Sequence, residues 1–103
     1  MIQVIVKKEQ DAITLLKVSG HALFDDYGKD IVCAGVSSIM VGLLNALDIK
    51  TNYQTVVDDE KQVMFASTSK ISEAGQMILE VGLIQLQTIA NQFPNYITIQ
   101  EVK

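Results

Sequence analysis

The chain of 103 residues has one cysteine, one histidine and one proline, and it has no tryptophan. A single cysteine excludes an intramolecular disulfide and fits a reducing compartment, so we expect a cytoplasmic protein. A structural zinc site needs about four ligands, mostly cysteine and histidine, and one residue of each type argues against such a site. We therefore expect neither a metal nor another cofactor.

Basic residues are also scarce, with eight against twelve acidic ones and a formal net charge of -4. Nucleic-acid-binding proteins usually have a basic face, so this balance argues against a nucleic-acid partner and fits a basic peptide. The apolar stretches are interrupted by glycine, serine and asparagine, and we expect none of them to span a membrane. The N-terminus alternates like a strand rather than a signal peptide. The length predicts one domain, residues 1–103.

Two hydrophobic periodicities define the predicted elements. Alternation predicts five strands, over residues 2–6, 13–18, 53–57, 62–66 and 96–102. Helical spacing predicts one helix over about residues 31–47, capped by Asp30, and another over about residues 70–91, capped within residues 67–69. The first helix is apolar on nearly all sides, so we expect it to be the most buried. The order ββαββαβ predicts an α/β (α+β) two-layer sandwich with a mixed or antiparallel sheet.

Two glycines, Gly75 and Gly82, lie one heptad apart inside the second predicted helix. Glycine there costs about 1 kcal/mol relative to alanine. We therefore expect another element to approach the helix closely at both positions.

The only histidine and the only cysteine, His21 and Cys33, are twelve residues apart. With Asp30 as the N-cap, Cys33 is the third helical residue, and the free N–H groups of the helix start favour its thiolate. Asp30, Cys33 and Ser37 share one helix face. If the second strand ends beside the helix start, His21 can take the thiol proton and later protonate a leaving amine. Either Asp30 or Ser37 can orient the imidazole, and first-turn N–H groups can stabilise an oxyanion.

The same residues permit simpler interpretations. A lone cysteine in an apolar helix is most often a small buried hydrophobic residue, and a histidine after a strand is most often a surface residue. A non-enzymatic dimeric partner protein and a redox sensor with one reactive thiol are the alternatives to a cysteine hydrolase. The redox sensor leaves His21 without a role.

The segment over residues 18–38 resembles the signature of the ribosomal-processing cysteine protease family. The residues that carry the resemblance are Gly20-His21-Ala22, Gly28 and Asp30-Ile31-Val32-Cys33-Ala34-Gly35-Val36-Ser37. The resemblance implies a small endopeptidase that removes the N-terminal extension of large-subunit ribosomal protein twenty-seven. It also implies a homodimer and a short extended peptide substrate with an aromatic residue at the cut. With this resemblance, the non-enzymatic alternative becomes a dimeric protein that binds ribosomal components.

The matched positions imply a role for each residue of the signature. Cys33 corresponds to the nucleophile and His21 to the general base, and Asp30 and Ser37 match positions linked to the site. We expect the loop over residues 22–29 to close on the peptide, with Gly28 as a hinge and with apolar surface near Phe24 for the aromatic side chain. The predicted substrate-binding residues are Gly20, Ala22, Phe24, Gly28 and Ala34.

Overall fold

The structure is a computed structural model that describes residues 1–20 and 27–103, with side chains described for residues 1–20 and 31–103. Its elements in chain order are β1 (Ile2–Glu9), β2 (Ala12–Ser19), α1 (Tyr27–Lys50), β3 (Gln54–Asp58), β4 (Val63–Ser67), α2 (Glu73–Gln92) and β5 (Ile97–Val102). The predicted order ββαββαβ and the α+β class are confirmed.

The strands form one mixed sheet in the order β3-β4-β2-β1-β5. The strand β1 pairs antiparallel with β2 and parallel with β5, so Val4 lies opposite Val18 on one side and Ile99 on the other. Alternation buries Ile97 in β5 and exposes Thr98, as predicted. The hairpin β3–β4 joins the sheet through antiparallel pairing of β4 with β2. The turn of that hairpin therefore lies at the same end of the sheet as the end of β2.

Both helices bury one side against the sheet. The buried residues of α1 recur at helical spacing: Val32, Val36, Met40, Leu43, Leu44 and Leu47. The helix α2 contributes Leu79 and Leu86, which have no accessible surface. Truncating a buried leucine to alanine costs about 2–5 kcal/mol, so these contacts fix the rotation of each helix. For α1 they fix the direction in which the polar side of the helix points.

The helix α1 is the more buried of the two helices, as predicted, but it is buried on one side only although it is apolar on nearly all sides. Ile31 and Val41 are each 47% exposed and Ile49 is 77% exposed. The window Ile31–Lys50 has a mean hydropathy of 1.8, so this stretch is longer and more apolar than expected and by length and composition alone is enough to cross a membrane. The core helix of a soluble protein passes the same test. Burial against the sheet accounts for the apolar residues on the core side of this helix.

The helix α1 begins at Tyr27, earlier than predicted, so Asp30 lies in its first turn and is not the N-cap. Aspartate is favourable at either position, because both hold a carboxylate near the free N–H groups, and residue type alone does not separate them. Cys33 is consequently in the second turn, beyond the four free N–H groups. The predicted position of its sulfur in their field is therefore wrong, since that field falls off within the first turn.

The helix α2 begins at Glu73 and is capped by Ser72, whose Oγ accepts a 3.1 Å hydrogen bond from the Gly75 N–H. The predicted cap within residues 67–69 is wrong. Ser67 is the last residue of β4, and the Thr68 hydroxyl is engaged in a local turn. Several residues of a cap-forming type precede this helix, so the sequence alone did not identify which of them is the cap. The helix ends before the only proline, as predicted.

Gly75 and Gly82 are buried and each faces a large side chain. A Cβ atom at Gly75 would collide with the ring of Tyr53, and one at Gly82 would collide with Leu43 of α1. The predicted close approach at both positions is confirmed. The two glycines let α2 pack directly against α1 and against the residue that precedes β3.

Candidate active site

Cys33 is a free cysteine in the second turn of α1, and its side chain is half-buried. It packs against the edge of the core, between the buried residues Val32 and Val36 of the same helix. The thiol is thus held on one side by the core and accessible on the other. This position does not match the simpler interpretation of an inert, fully buried cysteine.

A cavity of about 220 Å³ opens beside Cys33, between α1 and the β3–β4 hairpin. Ser37, one helical turn after Cys33, also lines it, and most of the remaining wall is apolar, including Val18, Val41, Val57, Val63 and Met64. Sites for drug-sized ligands are about 300–1,000 Å³. The smaller volume here fits one side chain of a peptide rather than a larger molecule.

The end of β2 reaches the same cavity through Gly20. Gly20 has a φ of +80°, and a Cβ atom there would lie 2.6 Å from the Met1 carbonyl oxygen. Both observations require glycine at this position. The backbone is therefore fixed where it leaves the sheet beside the cavity of Cys33, one residue before His21. The sequence-based condition that the second strand ends close to the helix carrying Cys33 is met.

Three of the predicted site residues, His21, Ala22 and Phe24, lie outside the described residues. Their predicted roles, including that of His21 as the general base, stay predictions. The prediction of a mobile loop over residues 22–29 is wrong for residues 27–29, which are helical. The rest of that segment lies outside the described residues. Gly28, its predicted hinge, is the second residue of α1.

The other predicted site residues are on α1. The backbone of Asp30 lies about one turn before Cys33 and Ser37 one turn after it, so the three positions share one side of the helix, as predicted. Ser37 is half-buried and lines the cavity. Ala34 is exposed and is not part of the cavity wall. Cys33, Ser37 and Gly20 are therefore the predicted residues that meet around one space.

The acidic turn of the β3–β4 hairpin was not predicted as part of the site. Asp58 and Asp59 line the cavity that Cys33 lines. The Asp58 carboxylate accepts a 3.1 Å hydrogen bond from the Lys61 N–H, which fixes the turn, whereas Asp59 is exposed. The sequence did contain a signal for this turn, because three acidic residues follow one another at the β3–β4 turn. Only the sheet topology, however, shows that the turn lies beside Cys33.

A larger cleft, about 680 Å³, lies at the opposite end of α1 and includes Tyr53 and Ser72. The Tyr53 hydroxyl accepts hydrogen bonds from the Ser72 N–H at 3.0 Å and from Gln76 Nε2 at 3.2 Å. Burial raises the pKa of Tyr53, but these hydrogen bonds outweigh it and leave the pKa below its ordinary value. Gln76 also bonds the N–H and the carbonyl of Ile13. These polar groups join α2 to the sheet, so we assign them a structural role despite the larger volume.

Comparisons with known proteins identify the family of the chain. The family model described as cysteine protease Prp matches residues 1–98. The ribosomal processing cysteine protease Prp of Mycoplasma pneumoniae is 34% identical over 88 residues, which cover 84% of this chain and 85% of the relative.

Two solved structures of Prp from S. aureus share the fold. One is a complex with a substrate peptide, with a TM-score of 0.88 and 29% identity over 99% of this chain and 100% of that chain. The other, with a covalently linked product peptide, gives a TM-score of 0.85 and 30% identity over the same shares. The prediction of a cysteine protease is confirmed, and the chain belongs to the family of the ribosomal processing cysteine protease Prp.

Proposed function

We propose that this protein is an endopeptidase that removes a short N-terminal extension from a large-subunit ribosomal protein, with Cys33 as the nucleophile. The observation that carries the proposal is the half-buried Cys33 thiol at a cavity that Gly20, the residue before His21, also lines. The S. aureus relative, solved with a substrate peptide and with a covalently linked product peptide, supports a peptide substrate and a covalent route. A thiol nucleophile and a ribosomal substrate both fit a cytoplasmic location, which we also propose.

The reaction begins with transfer of the Cys33 proton to the His21 imidazole, after which the sulfur attacks the scissile carbonyl carbon. The tetrahedral intermediate collapses, the C–N bond breaks, and the imidazolium donates its proton to the leaving amine. The trimmed ribosomal protein departs with a new amino terminus, and the extension stays on Cys33 as a thioester. Water then attacks the thioester, His21 relays its proton to the sulfur, and the extension leaves with a free carboxyl group.

Ser37 and Asp30 both take part in this scheme. Ser37 lines the cavity beside Cys33, which supports a hydrogen bond from its hydroxyl to the bound peptide. The backbone of Asp30 lies on the opposite side of Cys33 along the helix. We therefore assign contact with substrate to Ser37, and either Asp30 or Ser37 can orient the imidazole.

The test is mass spectrometry of a peptide that spans the cleaved bond of the ribosomal protein, incubated with the wild type and with Cys33→Ala. The wild type is expected to yield two fragments, and the variant is expected to lose about a thousandfold or more in kcat/KM. Thermal unfolding of both proteins checks that the variant stays folded. Cleavage by Cys33→Ala at the wild-type rate contradicts the proposal. Peptide binding by the wild type without turnover supports the non-enzymatic partner protein instead.

We also propose that two copies of the chain associate through the outer side of the helices. Met77, Val81 and Ile84 form a stripe along α2, and they are 61%, 48% and 60% exposed. A groove of about 420 Å³ between α1 and α2 runs beside them, and the surface above Gly42 of α1 is open. A contiguous apolar surface of this kind is typical of a protein interface. The bare backbone at Gly42 allows a helix of a second copy to approach closely.

Sedimentation of the wild type, Val81→Asp and Ile49→Asp tests this association. Val81 lines the groove, whereas Ile49 is more exposed and lies outside its wall. We expect a dimer for the wild type and for Ile49→Asp, and a monomer for Val81→Asp. A monomeric wild type at the micromolar concentrations of the assay contradicts the proposal.

A further inference from the structure

The cavity beside Cys33 combines apolar walls with an acidic rim. Val41 of α1 and Val57 of β3 contribute to the walls, and Asp58 and Asp59 of the hairpin turn form the rim. We infer that this cavity is a specificity pocket for a lysine or arginine side chain of the peptide substrate, with its methylene groups on the walls and its cation at Asp59. The inference rests on the proposed function and specifies the substrate class of that site.

The apolar walls provide the first part of the argument. Val41 and Val57 line the cavity from two different elements, and they are 47% and 56% exposed. Lysine and arginine carry three or four methylene groups that lie along apolar surface while the charged end stays near water. A side chain of this kind would cover both valines and still reach the rim.

The rim provides the second part. The Asp58 carboxylate bonds the Lys61 N–H, whereas Asp59 is held through its backbone carbonyl, which accepts a 2.7 Å bond from Gln62 Nε2. Among the described residues, the one ion pair within 4.0 Å joins Lys8 and Glu101, on strands away from this hairpin. Within that part of the chain, the Asp59 carboxylate is therefore available for a cation from outside. An aliphatic side chain would fill the walls but would make no ion pair with Asp59.

The size of the cavity restricts where the basic residue lies in the substrate. Cys33 and Asp59 both line a space of about 220 Å³. Because an extended peptide advances by about 3.5 Å per residue, the basic residue must lie within roughly two residues of the bond that Cys33 attacks. Binding of this basic residue would therefore help to position the scissile carbonyl at Cys33. It would differ in this respect from a long-range attraction between the net charges of enzyme and substrate.

A matched pair of hairpin variants tests the inference. Asp59→Asn and Glu60→Gln each remove one negative charge from the same turn, but Glu60 is not part of the cavity wall. The substrates are peptides with lysine, arginine, norleucine or glutamate at each position within two residues of the cleaved bond. Norleucine keeps the aliphatic stem of lysine without its charge.

At one position the wild type is expected to prefer lysine and arginine over norleucine by about two- to fivefold in kcat/KM, chiefly through KM. Asp59→Asn should abolish this preference, Glu60→Gln should keep it, and Asp59→Lys should shift it towards glutamate. The inference is overturned when no position distinguishes lysine from norleucine, or when Asp59→Asn and Glu60→Gln change the preference equally. Failure of the proposed function gives a different result, because the wild type then cleaves none of the peptides.

Discussion

The two ends of α1 carry two clefts of opposite character. The cleft at Tyr53 is the larger, but the Tyr53 hydroxyl accepts hydrogen bonds from the Ser72 N–H and from Gln76. The cavity at Cys33 is smaller, and it brings together a half-buried thiol, a hydroxyl and an acidic turn. In this protein the polar groups of the larger cleft hold elements together, whereas those of the smaller one face space that a peptide can fill. The volumes of the two clefts alone would therefore point to the Tyr53 end of α1 rather than to the Cys33 end.

Substitution of Cys33 is expected to have the largest effect on activity. It should also show most clearly that the Cys33 end of α1, and not the Tyr53 end, carries the chemistry. Cys33→Ala should lower kcat/KM by about a thousandfold or more, because the covalent step is lost. Its free energy of unfolding should fall by only about 1 kcal/mol, since the side chain is small and half-buried. Kinetics with a ribosomal-protein peptide and urea unfolding measure the two effects. A variant that unfolds much more easily than this would make Cys33 a structural residue.

The next largest effect is expected at Gly20. Gly20→Ala places a Cβ atom on a residue with a left-handed φ and brings that atom too close to the Met1 carbonyl. We expect the resulting strain to lower the free energy of unfolding by about 1–3 kcal/mol. The chain must then leave β2 differently, and because the next residue is His21, the proposed general base, we expect kcat/KM to fall at least tenfold. Kinetics under conditions where urea titration shows the variant to be fully folded check this. A folded variant with the wild-type rate would show that the path of the chain after β2 does not position the base.

At the other end, Tyr53→Phe should affect stability and not the reaction. The substitution leaves the Ser72 N–H and the Gln76 amide without their common acceptor, which costs about 1–3 kcal/mol. Urea unfolding measures the loss, and peptide kinetics should match those of the wild type. A large loss of kcat/KM in the folded protein would mean that the larger cleft takes part in catalysis.

The smallest effect is expected at the start of α2. Ser72→Ala removes the N-cap and should cost about 1 kcal/mol, again without a change in kcat/KM. Ser69→Ala is the matched control, because Ser69 is in the same connection but does not cap the helix, and we expect it to change the unfolding free energy by no more than a few tenths of a kcal/mol. Equal effects of the two substitutions would contradict the assignment of the cap.

Much of the fold could be predicted from periodicity. Alternation in β5 and the helical spacing of Val32, Val36 and Met40 in α1 follow from burial on one face, which is a local property of the sequence. The close approach at Gly82 could be predicted because glycine inside a helix has a known cost. Element order and the packing side of each helix followed from these patterns.

The starts of both helices could not be predicted, because their competing residues are chemically equivalent. Asp30 suits an N-cap and a first turn equally well, and Ser72 is one of several serines and threonines before α2. The hairpin acids at the cavity, such as Asp59, depend on strand pairing between distant segments, and a single sequence does not contain that register. Cys33 was identified by its chemistry and by the surrounding motif, whereas its position in the second turn of α1 required the structure.

The proposed reaction requires that the sulfur of Cys33 form a bond to the substrate during cleavage. Rapid acid quenching of the wild type with its peptide substrate, followed by intact-mass analysis and fragmentation, detects this bond. We predict a species heavier by the acyl group of the amino-side fragment, with the added mass on Cys33, and no such species in Cys33→Ala. Cleavage that proceeds undiminished after Cys33 has been alkylated, with no acyl adduct at any time, would contradict it.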